Sequence, residues 1–391
     1  MISFEKALET ILSSARYLGD ERVDFVESLN RVLAEDVYSD VDMPPFDKAA
    51  MDGFACQRED LGKVLDVIET VAAGQIPQKS IGTGQCVRIM TGAIVPEGAD
   101  TVIMVEQTEE VTPDKIRFTA DKTRPNIAYR AEDVKEGDIM WNKGQPILPS
   151  HIAIFAAVGC TRPLVARQPK VAILSTGDEL VEPYDKPGPG KIRNSNAWQL
   201  MAQVRNAHCL PFYMGIVPDT EEETELAITK SLEECDVVLL TGGVSMGEFD
   251  FVPKVMRKNN VDIRFQKVAV KPGKPTVFGV TENSYIFGLP GNPVSSFINF
   301  EVFVKPLLYK LMGHDYQASE LTLPLGVDYK RKKAERLEWV LVDINEQGEV
   351  IPVSYHGSAH IHAACLAKAI MRVDVNTYEF SKGEIVHVRP L

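Results

Sequence analysis

The chain has 391 residues, 45% hydrophobic and 25% charged, with a formal net charge of −13 at pH 7; this is a globular composition too long for one typical core, and about two to four domains are expected. Such an acidic average field repels phosphate backbones and excludes general nucleic-acid binding, so any anionic ligand must meet a local exception. Six cysteines lie far apart with no C-x-x-C pair, so neither a zinc site nor a secreted disulfide framework is signalled and a reducing cytoplasm is the expected setting.

In the opening MISFEKALETILSSARYLG, Phe4, Ala7, Leu8, Ile11, Leu12 and Ala15 recur at helical spacing. Glu5 and Lys6 stand where a secretory sequence needs an unbroken apolar run, so the spacing predicts an amphipathic helix, followed by a short strand near 23–26. From 41 to 136 the texture changes to β-type runs (64–71, 86–90, 101–106, 116–118) separated by Gly and Pro turns, a β-rich domain inserted into the first. Residues 1–40 and 137–168 then form one discontinuous, elongated helical domain, in which Ser150 is expected to cap a helix over 152–158 with Gly159 just past its end. The longest stretch without formal charge, 144–161, is interrupted by Pro146, Pro149, Ser150 and His151 and is too short in its apolar part to span a bilayer.

Residues 169–318 read as strand, helix, strand: KVAILSTGDEL, SNAWQLMAQVRNAHC, DVVLLTGG, then SYIFGLPGNP and a long helix over 294–312. After about residue 319 the helical period disappears. LEWVLVDINEQGEVIPV gives two strands around an Asn-Glu-Gln-Gly turn and GEIVHVRP another, so 319–391 is read as a small β-barrel-like domain. The expected class is therefore α/β plus β-rich modules: a multidomain chain with a central α/β sandwich on a mostly parallel sheet, an inserted β-rich domain and a small C-terminal β domain.

In doubly wound sheets, ligands bind beyond the carboxyl ends of the strands, where loops and helix N-termini present unpaired N–H groups. Three such ends carry telling residues: Ser175, Thr176, Gly177 and Glu179; Gly242, Gly243 and Ser245; and Pro290, Gly291 and Asn292, with Pro293 suited to a first helical position. Each alone is an ordinary tight turn, but together they point to a phosphate-bearing ligand. The basic exception sits nearby: 263–281 holds no acidic residue but contains Arg264, Lys267, Lys271 and Lys274. If FQKVAVK is a strand, Lys267 and Lys271 share one face, with Lys274 on the following turn.

Carboxylates beside phosphates repel unless a divalent cation reconciles them, so Glu179, Asp219 and Asp250 are candidate Mg²⁺ ligands. The inserted domain contributes Pro44-Pro45 before Met51-Asp52-Gly53, a rigid loop presenting an aspartate, and a Thr91-Gly92 turn. His356, His360 and His362 invite a metal reading, but Gly357 disrupts the helix that would align them, and surface or substrate-contact histidines are expected. No P-loop, strand-linked G-x-G-x-x-G or G-x-S-x-G elbow is present.

Taken in order, PPFDKAAMDGFA, RIMTGAIVPEGADTV, STGDEL, TGGVSMGEFD, KPGKP and GLPGNPVSS resemble the molybdopterin molybdenumtransferase (MoeA) family, whose eukaryotic relatives include the gephyrin E domain. The resemblance implies Mg²⁺-dependent insertion of molybdenum from molybdate into adenylated molybdopterin with release of AMP. It also implies a homodimer whose cleft joins the α/β domain of one subunit to the inserted domain of the other, and an upstream molybdopterin adenylyltransferase as a partner. Transferred by motif, the functional positions are Asp52, Thr91, Asp133, Glu179, Asp219, Asp250, Lys267, Lys271, Arg336 and Ser358. Ala49 departs from the hydroxyl or other polar residue often found at its place. Competing readings are a molybdopterin adenylyltransferase, which needs only the α/β portion; a gephyrin-like scaffold, which needs only a surface groove; and a competence-damage-type nucleotide pyrophosphatase, which shares the STGDEL and TGGVS style of turn.

Overall fold

The computed structural model describes residues 1–243, 252–354, 357 and 359–391. Its central sheet has the strand order Leu210–Val217, Lys170–Thr176, Val237–Thr241, Tyr285–Leu289, Val277–Val280 and Asp262–Phe265. The first four run parallel, and Val277–Val280 is antiparallel to both its neighbours, so that Asp262–Phe265 again runs with the first four. The middle strands are near-continuous apolar runs because both faces are covered. Ile173 and Leu239 pack with Leu200 and Val204 of the helix Ser195–Asn206, whereas Leu174 and Leu240 pack with Ile228, Val255 and Met256 on the other side. Parallel pairing brings Thr176, Val217, Thr241 and Leu289 to one edge.

The long helix expected over 294–312 is three consecutive pieces, Pro293–Asn299, a π-helical turn Phe300–Val304, and Lys305–Leu311. Pro306 lacks the N–H a regular α-helical turn would use, and the wider turn lies just before it.

The inserted sheet runs Thr101–Met104, Gly53–Cys56, Gln85–Ile89, Val64–Val71, Lys115–Phe118 and Thr108–Thr112. Gly53 is held so close to its neighbour that a Cβ would stand 1.8 Å from the Ile103 carbonyl oxygen. The chain on either side of this sheet pairs with itself: Asp20–Arg22 with Leu164–Ala166, and Val37–Tyr38 with Ile139–Trp141. The early strand is thus Asp20–Arg22, just ahead of the expected 23–26. The helix that follows is Pro149–Ala157, capped by Leu148 and not Ser150; Pro149 takes the first position, and the Leu148 N–H donates to His151 Nδ1 at 2.9 Å.

In the last sheet Val270–Lys271, Leu337–Ile344, Ala369–Val373, Ile385–Pro390 and Leu321–Pro324 follow one another, with Val350–Pro352 beside Leu337–Ile344. Leu325 bridges Val350 and brings the two ends together. FQKVAVK is therefore not one strand. The chain leaves the central sheet at Phe265, and Val270–Lys271 pairs in parallel with Leu337 and Glu338. Lys267 lies between, where its carbonyl accepts from the Ile2 N–H. Among the described residues, no helix is long and apolar enough to cross a membrane.

Candidate active site

The parallel strand ends form a close-packed floor. Gly242 has φ +92°, and a Cβ there would lie 2.5 Å from the Thr176 carbonyl oxygen; one on Gly291 would lie 3.7 Å from Gly242 Cα. At Gly242 only bare backbone fits, whereas the Gly291 distance is an ordinary van der Waals contact. Among the described residues, Thr176 Oγ1 is buried there without a hydrogen-bond partner, a group open for a ligand or water to satisfy.

A polar layer props this floor. Asn194 caps the helix Ser195–Asn206 by accepting from Ala197 N; its Oδ1 also accepts from Ser175 Oγ at 2.9 Å, and its Nδ2 donates to Tyr213 Oη at 3.0 Å. The Tyr213 hydroxyl donates to Glu182, and burial, then that bond, raises its pKa above the usual phenol value. Asn196 donates to the Gly291 carbonyl at 2.8 Å and keeps a buried Oδ1 with no partner among the described residues.

Above this floor opens a cleft of about 640 Å³, lined among others by Thr176, Glu179, Gly242, Gly243, Gly291 and Asn292. Pro275, Pro290 and Asn292 are shared with a neighbouring groove of about 590 Å³ that holds Lys271, Lys274, Arg336 and Glu338. Glu338 has a side chain only 10% exposed and bridges two cations: Lys271 at 2.7 Å and Arg331, itself 4% exposed, at 3.2 Å. Arg336 donates to the Val270 carbonyl at 3.1 Å. Pairing of Val270–Lys271 with Leu337 and Glu338 thus sets a row of cations along the groove.

Thr176, Glu179, Gly242, Gly243, Pro290, Gly291 and Asn292 therefore come together, and Lys271, Lys274 and Arg336 adjoin them. Ser175 and Gly177 are buried beneath the site and do not line it; the Ser175 hydroxyl is committed to Asn194 and Thr241. Lys267 lines neither cavity. Asp52 accepts from Thr91 N at 2.7 Å and Thr91 Oγ1 at 2.8 Å, and these bonds hold its carboxyl below the usual carboxylate range. Within this chain, Asp52, Thr91 and Asp133 lie in or beside the inserted sheet and line neither cavity. Ser245, Asp250 and Ser358 lie outside the described residues.

Among the described residues, Glu179 is the one carboxylate that lines the cleft, while Asp219 and Asp178 each accept the other's backbone N–H at 3.2 Å. No group of three potential metal ligands occurs among the described residues. One or two carboxylates beside phosphate oxygens are the donor set Mg²⁺ takes, so Glu179 fits such an ion in a way three clustered carboxylates are not needed for.

Residues 2–159 match the model for the "MoeA N-terminal region (domain I and II)", and 172–310 match that for a "Probable molybdopterin binding domain". The molybdopterin molybdenumtransferase of Staphylococcus epidermidis is 36% identical over 99% of this chain and 95% of its own length. The chain belongs to the molybdopterin molybdenumtransferase family. Other family members include the Haemophilus influenzae enzyme of that name, 36% identical over 100% of this chain and 98% of its own. The crystal structure of the molybdopterin biosynthesis MoeA protein of Pyrococcus horikoshii superposes with a TM-score of 0.86 at 31% identity, covering 100% of both chains. Because the match to the family runs through the inserted domain, it favours the molybdenumtransferase reading over an adenylyltransferase built from the α/β portion alone.

The sequence reading missed Asn194, Asn196, Arg331 and Glu338. The signals were present: two asparagines bracketing a serine ahead of a helix, and an acid inside the apolar run LEWVLV.

Proposed function

We propose that this chain inserts molybdenum from molybdate into adenylated molybdopterin and releases AMP, a step of molybdenum cofactor biosynthesis. The observation that carries this reading is the continuity of the two cavities: glycine-floored amides open directly onto a groove lined by Lys271, Lys274 and Arg336. The first suits the adenylate phosphates, since Gly242 and Gly291 let backbone approach an anion without a Cβ in the way. The second suits a tetrahedral oxyanion.

The chemistry asked of the residues is mostly electrostatic. As the phosphoanhydride breaks, charge grows on the leaving phosphate, and fixed amides and ammonium groups stabilise it. Glu338 holds Lys271 in place and lowers the net positive charge of the groove, while Arg336 stays tied to backbone. Glu179, with Asp219 and Asp250, would hold Mg²⁺, which when bound offsets phosphate charge and polarises phosphorus.

In this reading the protein is a cytoplasmic homodimer. Asp52, Thr91 and Asp133 of one subunit complete the cleft of the other, in keeping with their lining neither the cleft nor the groove of their own chain. An upstream adenylyltransferase supplies the adenylated substrate. The test is a stopped reaction with adenylated molybdopterin, Mg²⁺ and molybdate, quantifying AMP and metal-loaded pterin. Appearance of both in equal amounts is expected; AMP release that ignores molybdate would instead indicate a pyrophosphatase.

A further inference from the structure

Beyond the oxyanion groove the surface does not return to the acidic character of the rest of the chain. A third cavity of about 490 Å³ shares Lys271, Tyr329 and Arg336 with that groove and adds Lys330, Lys332 and Lys333, with Glu335 its one acidic lining residue. Its wall is the run Tyr329-Lys-Arg-Lys-Lys-Ala-Glu-Arg336. Five cations in eight residues, in a chain of net charge −13, make a local reversal of field.

This wall is a built loop. The Arg331 guanidinium is buried beneath it and donates to the carbonyls of Thr377 at 2.7 Å, Arg336 at 3.0 Å, and Asp374, besides pairing with Glu338. Ala334 is buried, and its carbonyl accepts from Asn376 N at 2.8 Å. Pinned at these points, the loop leaves Lys332 and Lys333 exposed. The available charge is also selective. Lys271 and Arg331 share the single carboxylate of Glu338, which offsets one of their two charges, and Lys330 is paired with Glu379 at 2.8 Å. Among the described residues, Lys332 and Lys333 have no carboxylate partner, and Arg336 bonds only a carbonyl. The unneutralised cations therefore lead from solvent to the shared residues Lys271 and Arg336.

We propose that this trench is a vestibule that captures the tetrahedral oxyanion and passes it to the groove, with Lys332 and Lys333 as steering groups outside the reacting centre. The proposal rests on the molybdate-using reaction proposed above. A small dianion approaching a chain of this charge is repelled over most of its surface, and a basic entry raises its local concentration and its rate of arrival.

The experiment compares the full-length protein with Lys332→Gln/Lys333→Gln and with Lys332→Arg/Lys333→Arg, using molybdate itself as the probe. In the AMP-release assay the glutamine pair is expected to raise KM for molybdate about tenfold at ~10 mM ionic strength and less than about twofold at ~0.5 M, where the Debye length shrinks to a few ångströms. Its kcat should stay within about twofold of wild type, and the arginine pair should restore KM. An unchanged KM at low salt overturns the proposal. So does a loss equal at both ionic strengths, or one that arginine does not rescue, since either marks a structural role. Equilibrium dialysis of molybdate separates this proposal from the reading it rests on: if wild type releases no AMP with molybdate, the proposed reaction fails. Weaker low-salt molybdate binding by the glutamine pair still supports the vestibule in that case, and unchanged binding refutes it.

Discussion

Gly242 is where the packing of the strand ends can be tested by a single methyl group. An alanine Cβ at this position would stand 2.5 Å from the Thr176 carbonyl oxygen and 2.8 Å from Thr176 Oγ1, on a backbone at φ +92°. Ordinary contact begins at 3.4 Å, so the two turns must part by roughly 0.9 Å. Left-handed backbone costs alanine ~1–2 kcal/mol and relieving the overlap ~1–3 kcal/mol more, for a total of ~2–5 kcal/mol. Gly215, on the edge strand of the same sheet, has φ +98° and nothing within 4 Å of a built Cβ, so Gly215→Ala carries only the backbone cost. Scanning calorimetry should show the melting temperature falling further for Gly242→Ala, by ~1–2 °C for each additional kcal/mol. Isothermal titration should show AMP binding lost in Gly242→Ala and kept in Gly215→Ala. Equal melting shifts with AMP binding intact in both would refute the close-packed floor.

Three further outcomes follow from the same geometry. Hydrogen bonds to the ionised form hold the Asp52 carboxyl below its usual range, so its tie to Thr91 is complete above the ordinary aspartate value of about 3.9 and is lost as pH falls through the lowered one; in Thr91→Val, carbon-detected NMR should find the Asp52 titration moved upward, and no movement would contradict the bond. Glu338→Ala strands the buried Arg331 charge and should cost ~3–5 kcal/mol in urea unfolding, whereas Lys271→Ala, at a side chain 51% exposed, should cost less than ~1 kcal/mol while weakening molybdate binding more at low salt than at high; the reverse order of stabilities would show that Lys271, not Arg331, is what Glu338 holds. If the site is shared between subunits, Asp52→Ala and Glu179→Ala are each inactive, and mixing them with subunit exchange should restore about a quarter of wild-type AMP release through heterodimers with one intact site; no recovery despite exchange would place both residues in one subunit's cleft.

Much of the site was legible because strand-end turns advertise themselves locally. A glycine at positive φ after an apolar run, as at Gly242, or Asn292-Pro293 opening a helix, depends on a few neighbouring residues and can be read from them. Contacts set by distant chain could not be read in this way. FQKVAVK alternates like a strand, yet it breaks because Val270–Lys271 finds its partner at Leu337 and Glu338 in another sheet. Ser175 resembles a phosphate-binding hydroxyl in its motif, but Asn194 and Thr241, supplied from elsewhere in the chain, turn it into an internal strut. Glu338 escaped notice for the same reason: its meaning depends on Arg331 and Lys271, brought to it by the strand pairing and by a loop stapled to carbonyls more than 40 residues away.

The claim on which the rest depends is that nucleotide and oxyanion occupy adjoining parts of one cleft. The most direct measurement is a crystal structure of the protein with AMP and tungstate, whose anomalous scattering locates the oxyanion independently of the nucleotide. The account predicts the AMP phosphate against the Gly242 and Gly291 turns and tungstate within hydrogen-bonding reach of Lys271 and Arg336. Tungstate bound away from those cations, or AMP seated outside the glycine-floored cleft, would contradict it.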